Sequence, residues 1–569
     1  MRRNKIWLVL ILLLAAFLRF YQLTGNPPSL NWDEVSHGYN AYSILKTGKD
    51  EWGVRWPIIF RAYGDYKLPV YIYLTSLSVD LFGLSDFAVR FPSALAGFLS
   101  VLFTYLLVKK LFQKDFVALL AAFFLAVSPW HIFLSRPAFE ANLASFLVIS
   151  GAYFFFLGLE KKWLLPVGIL FLGLSVHTYN SARIFVPLIL ITLFFLYYSS
   201  VIEWVRKRRK EAVLVGVVLA LFFIPLIVSF VSPSGWARYK WVGILDQGAI
   251  NRINMARGSS SLPKPFPKLI HNKVSYFTIA FTKNYFSNLS PKYLFLKGGS
   301  NYQYNIPGQG IIYPIQAPLI LIGLFWLFKN WRLKESKLVL LWWLLAIVPA
   351  ATTQENPHVL RTILVLPMPQ ILAALGFVQI GDWLRGKNMI KWILSLAYGL
   401  ILLILFYKFW AGYFGPYRKN YSWSWQYGYR EAANYIQLHY NEYDKIFMTK
   451  KYGEPHEFLL FYLKWDPEKY RQDPNLKRYF QTDWYWVDSF DKFVFINDWE
   501  IKDKLKIQNE KLKITNQNSK ILLITSPGNY PEGWEKIETI NFLDGKPAFE
   551  ILRTCHLGCQ NLVFQIKHD

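Results

Sequence analysis

The sequence predicts a polytopic α-helical membrane protein with a C-terminal α/β domain outside the bilayer, and three observations predict it. Of the 569 residues 53% are hydrophobic and only 18% charged, a balance that would leave too much apolar surface facing water. About eleven segments approach the roughly 20 mainly apolar residues that a spanning helix needs. Beyond Tyr413 the hydropathy falls, and helical and strand-like runs such as Arg430 to Leu438, Lys445 to Met448, Phe493 to Ile496 and Ile521 to Thr525 take over.

The expected spans lie near 6 to 23, 87 to 108, 116 to 134, 141 to 158, 163 to 178, 183 to 200, 212 to 231, 312 to 329, 337 to 353, 361 to 380 and 391 to 411. Lysine and arginine accumulate in short cytoplasmic connections. Met1 to Lys5, Lys109-Lys110, Lys161-Lys162, Arg206 to Lys210, Lys329 to Lys337 and Arg385 to Lys387 all fall on one side by this count. The N-terminus is therefore expected in the cytoplasm of a multi-pass plasma-membrane protein. An odd number of spans divides the chain into a transmembrane domain over 1–415 and a soluble extracytoplasmic α/β domain over 416–569.

Leu68 to Gly83 is apolar too, but Asp80 and several Tyr and Ser residues suit an interfacial or re-entrant helix. Counting it as a span would also alternate the sides of the basic loops that follow. The basic, then apolar N-terminus fits a signal peptide as well; Ala15 to Arg19 lacks a small-x-small cleavage site, so an uncleaved first helix is expected.

The formal net charge of +26 could point to nucleic acid. Much of it sits in short loops between apolar runs, where it meets anionic headgroups, and no recognition motif accompanies it. Membrane lipids, not nucleic acid, are the expected partners. Cys555 and Cys559 are the only cysteines, both in the outer domain. A disulfide across the short loop, two free thiols, and a zinc site using His556 are open readings, the last weakened by the lack of a second ligand pair.

Chemistry is concentrated in Asn31 to Tyr42, where Asp33 and Glu34 sit beside Trp, Tyr and Gly just after the first span. Carboxylates so close to a bilayer lose hydration and call for a charged, metal or substrate partner. Asn31 with Glu34 also reads as a capping box. Successive helical side chains diverge by about 100°, so one acid can face a cavity while the other braces the loop; the cavity is assigned to Asp33. The same loop carries Asp50, Glu51, Asp65 and Lys67. Span parity places Asp33, Glu140, His177 to Arg183 and His358 to Arg361 on the outer face. A long outer segment over about 232 to 311, with Tyr302 to Gly310 inside it, shows little secondary-structure patterning and is read as a lid over donor or acceptor.

Taken together, Asp33-Glu34, Asp50-Glu51-Trp52-Gly53, Gly64 to Pro69, Phe87 to Gly97, Ser135 to Asn142, His177 to Arg183 and Pro357 to Arg361 resemble the GT-C glycosyltransferases of the protein O-mannosyltransferase and lipid A aminoarabinose transferase type, glycosyltransferase family 39-like. The likeness runs over roughly residues 1 to 410 and is strongest in the first 190. It implies a GT-C fold with a long first outer loop bearing juxtamembrane helices. It also implies transfer of a hexosyl or pentosyl group from a polyprenyl-phosphate donor to a lipid, glycan or protein acceptor at the outer face.

An acceptor hydroxyl is a weak nucleophile near neutral pH, so a carboxylate must take its proton. By resemblance Asp33 is that base, with Glu34 and Glu140 the other catalytic candidates. Lys67, Arg183, His358 and Arg361 are candidates for the donor phosphate. Asp65, Tyr66, Tyr179 and Arg136 are candidates for substrate binding. Arg136 and Glu140, four apart, also fit a structural ion pair. No cofactor is obligatory; a divalent cation on Asp33 and Glu140 is a further option. The chain lacks the three tandem modules of eukaryotic protein mannosyltransferases and any Trp-Trp-Asp triplet, so a Ser/Thr acceptor and an oligosaccharyltransferase are disfavoured. The alternative class is a transporter or flippase, whose ionisable residues belong in mid-span and not at the outer ends.

Overall fold

The computed structural model describes residues 2–64, 66–231, 239–506 and 520–554. The chain forms two compact units, and neither is continuous in sequence. The first holds Met1–Leu23, Leu68–Tyr71 and Phe91–Tyr413; the second holds Thr24–Lys67, Ile72–Arg90 and Phe414–Asp569. Residues 24–67 and 72–90 thus group with the chain after 413 instead of with the helices that flank them in sequence.

Every expected span is helical. Among the described residues, five helices are long and apolar enough to cross a membrane: Asp86–Phe112, Glu140–Glu160, Arg209–Val228, Ile363–Trp383 and Asn388–Asn420. Two bent pairs bring the number to seven, Asp115–Ala126 with Pro129–Ser135 at 57° and Asn180–Leu196 with Tyr198–Lys207 at 85°. The remaining expected spans are Arg2–Phe20, Leu164–Val176, Ala317–Lys329 and Lys334–Ala351, shorter or more charged. Pro69–Phe82, with 14 residues, is about 21 Å long against a hydrocarbon core of roughly 30 Å.

Helices in the first unit approach closely where side chains are small, because bilayer lipid offers no hydrophobic incentive and backbones must touch to gain dispersion energy. At Gly323 on Ala317–Lys329 an added Cβ would lie 2.1 Å from the Leu372 carbonyl oxygen. Only glycine fits there. The segment read as a patternless lid is largely helical: Gln247–Gly258, Phe266–Ile270 and Lys273–Leu289 lie within it. Asp246 and Asn272 cap two of these helices with side-chain oxygens. Interleaved aromatic and basic residues had blurred the apolar period that announces a helix.

In the second unit a short antiparallel ribbon, β1 (Phe60–Arg61) and β2 (Tyr66–Lys67), closes the first loop. The chain after 413 builds a seven-stranded mixed sheet from β3 (Lys445–Thr449), β4 (Lys477–Gln481), β5 (Trp484–Phe490), β6 (Phe493–Ile496), β7 (Ile521–Thr525), β8 (Trp534–Asn541) and β9 (Pro547–Thr554), in the order β4-β5-β6-β3-β7-β9-β8. β3 runs parallel to both neighbours, and β7 is buried along its whole length. Such central strands read as unbroken apolar runs, as Ile521 to Ile524 does. Phe447, Ile496, Leu523 and Leu552 meet in the core, and the helices Trp32–Thr47 and Pro455–Tyr462 pack on one another beside the sheet.

Candidate active site

The helix Trp32–Thr47 starts with the capping box that the sequence suggested. Asn31 Oδ1 accepts the Glu34 N–H at 3.0 Å, and Glu34 Oε2 accepts the Asn31 N–H at 3.1 Å. Glu34 is fully buried, and Arg90 donates to it from Nε at 2.9 Å and from a terminal nitrogen at 3.1 Å. Arg90 also donates to the carbonyls of Pro27 at 2.8 Å and Ser29 at 2.5 Å. Charge pairing plus hydrogen bonds to both carboxylate oxygens is what lets two ions sit in a dry interior. The geometry makes Glu34 a brace that ties the first loop to the start of Asp86–Phe112.

One residue earlier, the helical turn points Asp33 elsewhere. Its side chain is 40% exposed, and its Oδ1 lies 2.5 Å from the Lys67 ammonium on β2. An ammonium at that distance holds a carboxylate in one orientation without burying it. Asp33 and Lys67 are thus brought together, one as a candidate base and the other as a candidate phosphate ligand. Tyr66 lies beside Lys67 on β2, partly buried and paired with Arg61. Asp65 lies outside the described residues, as do Cys555 and Cys559.

Sequence reasoning missed a buried acidic group in the same unit. Glu454, His456 and Glu457, at the start of Pro455–Tyr462, lie with Glu51 from the first loop. Burial pushes the Glu454 carboxyl up to about 7, against the hydrogen bond from Trp484 and the charge of Lys450. Burial, then the Glu51 charge, drives Glu457 well above the usual carboxylate range, and burial raises Glu51 as well. Burial together with Arg478 and Lys450 holds His456 well below its ordinary value, hence neutral. The only sequence signal was a Glu-Pro-His-Glu string opening directly onto the apolar run Phe458 to Tyr462.

The other candidates belong to the first unit. His358 is buried and its Nδ1 accepts the Arg361 N–H at 3.2 Å, which leaves the proton on Nε2, 3.3 Å from Glu355. That hydrogen bond, with the charge of Arg361, holds the Glu355 carboxyl below its ordinary range. Arg361 donates to Thr353 Oγ1 at 2.9 Å. Residues 359 to 362 are turns, so the pair meets through a backbone N–H. Tyr304, from the Tyr302 to Gly310 stretch, lies with its ring 5.0 Å from that of His358.

Arg183 is buried on Asn180–Leu196 and donates to the Val176 carbonyl at 3.3 Å. Tyr179 is the buried N-cap residue of that helix. Glu140 is the partly buried first residue of Glu140–Glu160, where a helix N-terminus favours an acid. Arg136 takes a different place from the one expected of a substrate ligand. It is fully buried, and its guanidinium reaches the carbonyls of Leu18 at 3.0 Å, Tyr21 at 2.7 Å and Gln22 at 3.0 Å, around the end of Arg2–Phe20. Those acceptors are unmade at any helix end, and a five-donor fork suits them. Among the described residues no three His, Cys, Asp or Glu side chains are grouped so as to hold a metal ion.

Comparison with known proteins agrees with this architecture. Residues 67–228 match the family model described as Dolichyl-phosphate-mannose-protein mannosyltransferase. Over 237 residues the chain is 27% identical to "Putative mannosyltransferase YkcB" of Bacillus subtilis (strain 168), a match covering 41% of this chain and 32% of that protein. The chain therefore spans about a third of the length of that curated relative. Among solved structures, ArnT from Cupriavidus metallidurans bound to undecaprenyl phosphate superposes with a TM-score of 0.51 at 13% identity, covering 96% of this chain and 98% of that one. Its apo state gives 0.50 at 12%, with the same coverage. The fold is GT-C, and the chain is a multi-pass membrane protein similar over residues 67–228 to that mannosyltransferase family.

Proposed function

From that premise, we propose that the protein moves a hexosyl or pentosyl group from a polyprenyl-phosphate donor to an acceptor at the outer face of the membrane, with Asp33 as the base. The observation that carries this is the contrast between neighbours. Glu34 is buried against Arg90, whereas Asp33 is accessible, paired with Lys67 and mounted on the first turn of a helix. A base needs both access and fixed placement.

In the proposed reaction Asp33 takes the acceptor O–H proton as that oxygen attacks the anomeric carbon. The bond from that carbon to the phosphate oxygen breaks, polyprenyl phosphate leaves, and attack from the opposite face inverts the centre. Lys67 has a second use in this scheme. The donor phosphate competes for its ammonium, so that donor binding loosens the ion pair and frees Asp33 to accept a proton. In the first unit, Arg361 and Arg183 are proposed phosphate ligands, and His358 is proposed to orient Arg361 through its backbone. Topology with a cytoplasmic N-terminus accompanies this reading, because the basic loops then share one side.

The test is transfer of label from radiolabelled polyprenyl-phosphate mannose to membrane extract, comparing wild type with Asp33→Asn. Loss of about 10² to 10⁴ in rate is expected on removing a general base. Equal rates would reject the assignment.

A further inference from the structure

We propose that the C-terminal segment of the second unit positions the Asp33 carboxylate, with Trp484 and Glu454 as positioning residues that act through Tyr63 and Trp32. The inference rests on Asp33 being the base. It starts from how Trp32, the residue immediately before Asp33, is held.

Both peptide groups of Trp32 are pinned by side chains far away in sequence. Its N–H donates to Gln426 Oε1 at 2.8 Å, across 394 residues, and its carbonyl accepts the Tyr63 hydroxyl at 2.9 Å. The Trp32 carbonyl and the Asp33 N–H share one rigid peptide plane. Fixing that plane and the one before it fixes φ and ψ of Trp32, and with them the position and direction in which the chain enters Asp33. Gln426 is itself held, donating to the Tyr452 carbonyl at 2.6 Å from a left-handed conformation at φ 54°. At Gly453, φ +117°, a Cβ would lie 2.3 Å from the Trp32 ring, so the indole rests directly on backbone.

Tyr63 is fixed in turn. Its ring stacks on Trp484, centroids 5.7 Å apart and planes at 17°, and its carbonyl accepts the Tyr485 N–H at 2.7 Å. The Trp484 indole N–H donates to Glu454 Oε1 at 2.6 Å. Burial and the nearby carboxylates of Glu457 and Asp33 keep the Tyr63 phenol protonated, so it stays a donor to Trp32. The hairpin carrying Trp484 turns through Thr482 and Asp483 at φ 54° and 58°. A β-branched residue rarely adopts that conformation, and such strain persists where surrounding contacts over-determine the shape. Here those contacts are the backbone bond and ring stack onto Tyr63.

The test uses the full chain in detergent, with radiolabelled polyprenyl-phosphate mannose and membrane extract as substrates. Trp484→Leu removes stack and donor, Trp484→Phe keeps the stack, and Tyr63→Phe deletes one hydroxyl. For Trp484→Leu the expected result is a kcat lowered about tenfold with donor KM within about twofold, as for a displaced catalytic group. Amide exchange over residues 29 to 36 is expected to quicken, and Trp484→Phe, which keeps the stack but loses the donor to Glu454, to recover only part of both effects. Should Trp484→Leu fail to fold, Tyr63→Phe decides, with a kcat loss of about threefold expected for one hydrogen bond. Unchanged kcat, or unchanged exchange over 29 to 36 in a folded variant, overturns the proposal. Wild-type rates in Asp33→Asn would instead sink the base while leaving the exchange prediction standing, so the two failures are distinguishable.

Discussion

Arg19 in the first unit and Arg90 in the second are both fully buried, yet they are neutralised differently. Arg19 donates to the carbonyls of Leu125 and Ala126 and contacts the His131 ring, all neutral partners. Arg90 meets two carbonyls as well, but its charge faces the Glu34 carboxylate. The membrane unit uses arginine to finish helix ends, where unpaired carbonyls have no water to turn to. The second unit uses opposite charges to fasten loops, and leaves one carboxylate of such a set, Asp33, in reach of solvent. A basic residue near a span end can thus be committed to carbonyls or to a carboxylate within the protein.

The largest effect that would break this contrast concerns the buried pair. Removing one partner, as in Arg90→Leu, strands a buried charge and is expected to cost about 3–5 kcal/mol, read as a lowered midpoint of thermal unfolding; an unaltered midpoint would place Glu34 in solvent. Second in size is a pH effect in the second unit. The Glu454 carboxyl, near 7 in the folded protein against 4.5 ordinarily, binds more protons folded than unfolded between those values. Its contribution is thus fully present below about 4.5 and lost as pH rises through about 7, by up to about 3 kcal/mol. Thermal melts of Glu454→Gln should be flatter over that window than wild type.

A smaller change separates structure from binding at Arg136. Arg136→Lys forfeits most of the carbonyl contacts and should cost about 2 kcal/mol of stability, with the donor KM untouched. A raised KM at unchanged stability would return Arg136 to the substrate ligands. The mildest effect is Arg361→Ala, expected to raise donor KM about tenfold, one charge-assisted hydrogen bond, with little change in unfolding.

Much of the fold was legible because its signals are local. Apolar length marked the helices, an Asn31 and Glu34 spacing marked a cap, and unbroken apolar runs marked β3, β6 and β7. The helical character of residues 247 to 289 was not, since its caps carry information that hydropathy does not. In the site, the divergence of Asp33 from Glu34 follows from the pitch of a helix alone. At Arg136 the sequence did not separate the two settings, because a basic residue near a span end looks the same whether it meets a phosphate or a helix terminus.

The sequence by itself determined the membrane class, the helical segments and the neighbouring acids with opposite fates, all of which depend on residues within a few turns of each other. Only tertiary structure decided that residues 24–67 fold with the chain after 413, that Lys67 pairs with Asp33, and that Gln426, Glu454 and Trp484 hold Trp32. Those contacts join residues up to 394 apart. Nothing in local propensity or periodicity encodes which distant partner satisfies a hydrogen bond, because that choice is made by packing of the whole unit.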